Sequence, residues 1–301
     1  MINRQIRFIS LVMLSLWLLV GCAKDNHYQQ LHITKQMAVE PLQTDNQTLA
    51  IAFGGGGLRG YMHLGVIKAL HEHGIKADLV TGSSAGSVAA TLYASGQSYD
   101  KLESILMAFS EYDLMDFVLS KQGLVNGQNL ADWINASVPQ QTLSAMSIPI
   151  GITATDMTDL ESVLITDGNP GQAVQTSSSI PGAFIPVQHN EHLLVDGGVL
   201  NVVPVHYARA MGADMVIAVD IYCGNQPAAD KTSIGVQLAT FRLLACRLSE
   251  DEIMSADLVV RPSYEPKGSG VSSSKQVGVE AGYQAMMAKM PELKSLLGQV
   301  D

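Results

Sequence analysis

Gly82-Ser83-Ser84-Ala85-Gly86 stands between an apolar run, Asp78-Leu79-Val80-Thr81, and a stretch of small residues from Ser87 to Ser95. The run reads as a buried strand and the small-residue stretch as a helix, which makes the pentapeptide a G-x-S-x-G turn at a strand-to-helix junction. Such a turn projects its central residue, here Ser84, above the sheet edge. Gly82 and Gly86 are needed because a side chain at either place would collide with the neighbouring strand or helix. In a chain with 27 glycines the string alone reads equally well as a plain turn, so its surroundings must decide.

Upstream, Leu49-Ala50-Ile51-Ala52-Phe53 is a second buried strand, followed by Gly54-Gly55-Gly56-Gly57-Leu58-Arg59-Gly60 and a helical stretch from Tyr61 to His73. Leu64, Ile67 and Leu70 recur there at helical spacing, and Gly74 serves as the C-cap. Two successive strand–loop–helix units predict an α/β fold, with a mostly parallel central sheet flanked by helices. Further helices are expected over 99–110, 128–138, 169–178, 203–211, 234–253 and 277–290. Strands are expected over 149–155, 161–166, 193–195, 215–220 and 258–261. No repeat or linker interrupts residues 49–301, which read as one domain.

The glycine loop has competing readings. Gly55, Gly57 and Gly60 satisfy G-x-G-x-x-G between a strand and a helix, where a dinucleotide pyrophosphate can sit. A nucleotide site also wants an acid after the second strand to hold the ribose, and Asp78 precedes that strand. The loop's backbone N–H groups, unpaired at a helix start, can instead hold an oxyanion formed at Ser84, with Arg59 orienting the loop or adding positive potential. A tight turn that merely packs helix on strand is the third reading.

A serine nucleophile needs a base, and histidine is the first place to look. His27 and His32 fall near the N-terminus, His71 and His73 at the far end of the first helix, and His63 one turn into it, where packing or capping suits it better. His189, His192 and His206 stay open, though none stands in a recognisable post-strand catalytic loop. Asp196 does: it ends the Leu193–Val195 strand and is followed by Gly197 and Gly198, which leave backbone free to approach Ser84. Alone, Asp196-Gly197-Gly198 reads as a polar turn.

Together these segments resemble the patatin-like phospholipase family over about residues 49 to 290. Gly55-Gly56-Gly57-Leu58-Arg59-Gly60 matches its oxyanion block, Gly82 to Gly86 its nucleophile block and Asp196-Gly197-Gly198 its DGG block. Ser177 to Pro186 resembles its serine and proline block, with Thr176 where alanine is usual. The resemblance implies a serine lipid acyl hydrolase, of phospholipase A or lysophospholipase type, that works without histidine. Ser84 would attack an ester carbonyl, Asp196 would take its proton, and the amides of Gly56 and Gly57 would hold the oxyanion. Membrane lipid or lysolipid is then the expected substrate, with no cofactor and no metal. A non-catalytic lipid- or protein-binding module on the same fold, and a thioesterase, are the alternatives. The apolar stretch from Met107 to Leu119 is expected to pack in the core; bordering an acyl pocket or dipping into a membrane are its other readings.

The N-terminus reads as a targeting segment. Arg4 and Arg7 precede an apolar run, Phe8 to Val20, that is short for a bilayer span. It ends in Leu19-Val20-Gly21-Cys22, which resembles a bacterial lipobox. Cleavage after residue 21 would leave an acylated Cys22, a polar tether over 22–48 and an enzyme on the periplasmic face of the outer membrane. As a flexible coil the tether would span roughly 25–30 Å. An ordinary secretory signal or an uncleaved anchor are the plainer readings. With 18 Lys and Arg against 28 Asp and Glu, and no basic block, nucleic acid is not an expected partner. Cys223 and Cys246 are too few for a zinc site and can either pair or stay buried singly.

Overall fold

The apolar runs Leu49–Phe53 (β3), Leu79–Gly82 (β4), Ile150–Asp156 (β5) and Met215–Val219 (β9) are buried at every residue, as strands covered on both faces by helices must be. The computed structural model describes residues 26–299, except 36–37, 43, 45–46, 111, 113–115, 225–230 and 266–271. Cys22 and the segment 1–21 lie outside the described residues.

With Leu258–Val260 (β10), these strands form a parallel array in the order β5-β4-β3-β9-β10. Glu161–Asp167 (β6), Val187–His189 (β7) and His192–Asp196 (β8) add an antiparallel part, in which β6 and β8 both pair with β5 and β7 pairs with β8. The period of two along β3 divides the core. Leu49, Ile51 and Phe53 face one layer, with Met62, Leu64 and Leu70 of Tyr61–Glu72 (α1) and Met286 and Leu293 of Ser272–Leu296 (α8). Ala50 and Ala52 face the other, under Val205, Tyr207 and Ala208 of Val205–Ala210 (α6) and Ala245 and Ile253 of Ser233–Met254 (α7). The remaining helices are Ala85–Ala94 (α2), Tyr99–Ala108 (α3), Gln128–Ser137 (α4) and Pro170–Ser177 (α5). α1 and α8 touch backbone to backbone: a Cβ on Gly65 would lie 1.9 Å from Val279 O, and one on Gly282 would lie 1.9 Å from Met62 O.

The reading of 22–48 as a tether is corrected over residues 26–35. Asn26–His27 (β1) pairs with β7, and His32–Lys35 (β2) pairs with β6. Tyr28 and Leu31 are buried in the main core. Neither strand shows an apolar period because both add backbone hydrogen bonds at the sheet margin rather than a buried face; β2 buries none of its four residues. Cys223 and Cys246 form a disulfide, with Cα atoms 5.4 Å apart. Among the described residues no helix is long and apolar enough to cross a membrane.

Candidate active site

The site arises from a meeting of two strand ends on one edge of β5. Ile152 pairs with both Gly82 of β4 and Ile165 of β6, and Ala154 with both Asp196 of β8 and Val163 of β6. β4 and β8 therefore share the edge opposite β6. One runs parallel to β5 and the other antiparallel, so their C-terminal ends face each other across Thr153. Residues that follow Gly82 and residues that end β8 are brought together although more than 100 positions separate them.

The chain leaves β4 through a tight turn. Ser84 has φ 51° and ψ −124°, a region that L side chains seldom adopt. The flanking glycines permit it: a Cβ on Gly86 would lie 2.0 Å from Phe53 O, and one on Gly82 would lie 2.6 Å from Gly86 O. Ser84 caps the start of α2, so its hydroxyl sits at the positive end of that helix. Its N–H donates to Ser177 Oγ at 2.9 Å.

The Ser84 hydroxyl donates to Asp196 Oδ2 at 2.6 Å. Asp196 Oδ1 accepts the Gly198 N–H at 2.7 Å, and the Asp196 N–H donates to Ser179 O at 3.0 Å. Both side chains are buried. Burial pushes the Asp196 carboxyl up to about 6 against the opposing effect of its bonds to Ser84 and Gly198. The carboxylate is thereby a better base than an exposed aspartate, and still ionised near neutral pH.

The histidines lie elsewhere. His63 Nε2 stands 2.8 Å from Gly54 O, and burial pushes that imidazole down to about 4. His189 Nδ1 meets Tyr28 O at 2.5 Å, His192 Nδ1 meets Asp156 Oδ2 at 2.6 Å, and His206 stands by Glu252. His71 stacks on Tyr99, and His73 bonds to Ala69 O. Asp156, Asp159 and His192 bring one possible ligand atom each within 4.8 Å of one another. They are already engaged, since Asp156 also accepts the Thr158 N–H and Asp159 pairs with Lys35.

The glycine loop divides its tasks. Gly55 N–H is taken by Val202 O at 2.8 Å, so Gly55 is not an oxyanion donor. Its part is close approach: a Cβ there would lie 3.2 Å from Ser84 Cβ. A 3₁₀ turn, Gly57–Gly60, follows, and its first bond runs from Arg59 N–H to Gly56 O. Gly56 and Gly57 precede that bond, so their N–H groups stay outside the turn's own ladder. Gly60 leads into α1. Arg59 Nη1 donates to Gly56 O at 3.1 Å and its Nε to Glu265 Oε2 at 3.0 Å, so the guanidinium orients the loop and its charge is paired. Gly197 is closely packed. A Cβ on it would lie 2.5 Å from Thr153 O and 2.9 Å from Ser83 Oγ, so it packs on β5.

Ser84 opens onto an apolar cavity of about 240 Å³ lined by Val88, Leu106, Phe109, Trp133, Ile180 and Phe184, among others. Phe109 and Trp133 pack with ring centroids 4.3 Å apart. Sequence reasoning missed Ser177, Thr153 and Trp133. Ser177 carried a signal, as the first residue of the serine and proline block; the other two carried none. A larger cavity of about 710 Å³, between β2 and the Leu143–Ala145 turn, is lined by none of the site's residues.

The class these features define is an α/β protein with a serine on a strand–turn–helix elbow, hydrogen-bonded to a buried aspartate. The family described as Patatin-like phospholipase matches residues 51–209, and the chain belongs to that family. It is 31% identical over 210 residues to the human patatin-like phospholipase domain-containing protein 6, a match covering 67% of this chain and 15% of that relative. An uncharacterised NTE family protein of Mycobacterium tuberculosis is 32% identical over 175 residues, 58% of this chain and 49% of that one. The chain thus spans only a small part of the first relative's length. VipD from Legionella pneumophila superposes with a TM-score of 0.47 at 14% identity, over 92% of this chain and 73% of that one.

Proposed function

We propose that the protein is a serine lipid acyl hydrolase that cleaves carboxylic esters of phospholipids or lysophospholipids with Ser84 and Asp196. The observation that carries this reading is the 2.6 Å hydrogen bond from Ser84 Oγ to buried Asp196, at the mouth of an apolar cavity. Family membership and the name of the human relative support the substrate class.

In this reading the acyl chain enters the cavity and its ester carbonyl stands over Ser84. Asp196 takes the hydroxyl proton as Oγ attacks, and the Gly56 and Gly57 N–H groups donate to the oxyanion. Collapse expels the alcohol, which takes the proton from Asp196, and leaves an acyl-serine. Water then attacks, giving its proton to Asp196, and the fatty acid departs as Ser84 is regenerated. The Ser84–Asp196 pair needs no imidazole because desolvation has raised the carboxyl toward neutrality.

The proposal includes export and anchoring through an acylated Cys22. The Cys223–Cys246 disulfide supports export, since such bonds persist in oxidising compartments. The test is fatty-acid release from a lipid panel, measured by mass, with Ser84→Ala and Asp196→Asn as folded controls. Both variants are expected to release no acid. Activity that survives in Asp196→Asn sinks the two-residue mechanism, and failure of a fluorophosphonate to label the wild type at Ser84 sinks the hydrolase reading altogether.

A further inference from the structure

Against the Phe184 wall of the Ser84 cavity stands a hairpin that the proposed chemistry does not use. Phe117 pairs with Val125 as an antiparallel bridge, Val118 N–H donates to Leu124 O at 2.9 Å, and Asn126 N–H donates to Asp116 O at 3.1 Å. Its inner arm is joined to the cavity wall. Val125 bridges to Phe184, Leu124 N–H donates to Ala183 O at 2.9 Å, and Ile185 N–H donates to Val125 O at 2.9 Å. Its outer residues are apolar and bare: Phe117 is 71% exposed, Leu119 86% and Leu124 62%. The core burial expected for the Met107–Leu119 stretch is not found: none of its described residues is buried, half-buried Phe109 borders the cavity instead, and Phe117 and Leu119 are exposed.

We infer that this hairpin, residues 116–126, docks the protein on the surface of a phospholipid bilayer and sets the cavity mouth against the lipid. Geometry selects that occupant over a folded protein. Directly paired residues share a face and neighbours alternate, so Phe117 and Leu119 lie on the face of Val125 while Leu124 stands on the other. A flat protein partner covers one face, whereas a bilayer surrounds both.

Charge points the same way. From 117 to 125 the chain carries one charged residue, exposed Lys121 at the tip, within a protein of net charge −10. Asp116, at the base, is turned inward, accepting the Gly127 N–H at 2.7 Å and the Asn129 N–H at 3.2 Å at the start of α4. No outward carboxylate stands on the hairpin to repel lipid phosphates, and Lys121 can reach them while Phe117 and Leu119 enter the acyl boundary. Leu58, on the rim of the same cavity, is also exposed. The inference rests on the lipid hydrolase reading only for what docking delivers to Ser84.

Two measurements on the full chain test it. Leu119→Trp, mixed with vesicles of phosphatidylglycerol and phosphatidylcholine, is expected to shift its emission to the blue and to be quenched by brominated lipid beyond the wild-type background. Absence of added quenching overturns the docking surface. The double variant Phe117→Ser/Leu119→Ser is expected to hydrolyse vesicle lipid about tenfold more slowly while hydrolysis of a soluble short-chain ester stays within about twofold. Equal loss on both substrates makes the hairpin a structural part of the site and overturns the inference. Quenching of Leu119→Trp with no acid released by the wild type from either substrate refutes the hydrolase and leaves the docking surface standing.

Discussion

The guanidinium of Arg59 reaches back to hydrogen-bond the carbonyl of Gly56, 3.1 Å away, and so fixes the Gly56–Gly57 peptide, which carries one of the two N–H groups outside the turn's own ladder. Arg59 is held in turn by Glu265, which also binds Arg242. Burial pushes the Glu265 carboxyl up, but its bonds and charge contacts with the two arginines outweigh this and hold it below its ordinary value.

Glu265→Gln is therefore expected to loosen the loop without unfolding the domain. Donors that must meet a developing oxyanion matter more to the transition state than to substrate binding, so kcat on a soluble ester should fall by about tenfold with KM within about twofold. Steady-state kinetics decide it: a change in KM alone places the network in binding and not in positioning.

The elbow stores backbone strain at Ser84, whose φ is 51°. Ser84→Ala and Ser84→Gly both delete the hydroxyl, yet only glycine relaxes that dihedral. The glycine variant is expected to be the more stable by more than the roughly 1 kcal/mol by which glycine ordinarily exceeds alanine at an N-cap, because it also relieves the dihedral. Chemical denaturation of the two variants measures the difference, and an advantage no larger than that contradicts the strain.

These two segments were legible in the sequence for a physical reason: a glycine-bracketed serine and a glycine run announce backbone conformations that few other residues allow. The parallel core was legible too, because Leu49–Phe53 and Met215–Val219 are unbroken apolar runs. β1 and β2 were not, since Asn26-His27 and His32-Ile33-Thr34-Lys35 join the sheet through main-chain bonds and bury little of their own. Asp196 stood out as a strand-end acid followed by two glycines, and its role as proton acceptor was carried by resemblance. What places it beside Ser84 is the shared edge of β5, a relation between residues more than 100 positions apart that no local pattern contains.

Asp196 links activity to pH. With its carboxyl pushed up to about 6 by burial, kcat/KM is expected to rise through a single ionisation near pH 6 and then level, with no further step from a histidine. The stability effect has the opposite sign. A raised folded-state value means that the protonated form favours folding; this contribution is complete below pH 3.8, the ordinary value, and is lost as pH rises through about 6. Above that, ionised Asp196 costs on the order of 3 kcal/mol relative to a neutral side chain. Asp196→Asn keeps an acceptor for Gly198 and a polar contact for Ser84. It should therefore melt higher than wild type at pH 8, and the gain should vanish at pH 4. A melting difference independent of pH removes the titration from Asp196.

The Cys223–Cys246 bond closes a 23-residue separation and reaches the site through the same arginine network. Cys246 lies one helical turn beyond Arg242, whose guanidinium stacks 4.6 Å from the Tyr222 ring and donates from Nε to Tyr222 O at 2.9 Å. Arg59 lies over the same ring at 5.5 Å. The disulfide thus fixes α7 against the residue that both arginines share. A loop of this length predicts roughly 3 kcal/mol of stabilisation, mainly by restricting the unfolded chain. The double variant Cys223→Ser/Cys246→Ser is expected to lose about that much stability and also some kcat, with KM little changed, because Glu265 and Arg59 lose their backing. Denaturation and soluble-ester kinetics on the same preparation separate the two effects: lost stability with full kcat confines the bond to a structural role, and unchanged stability refutes the clamp.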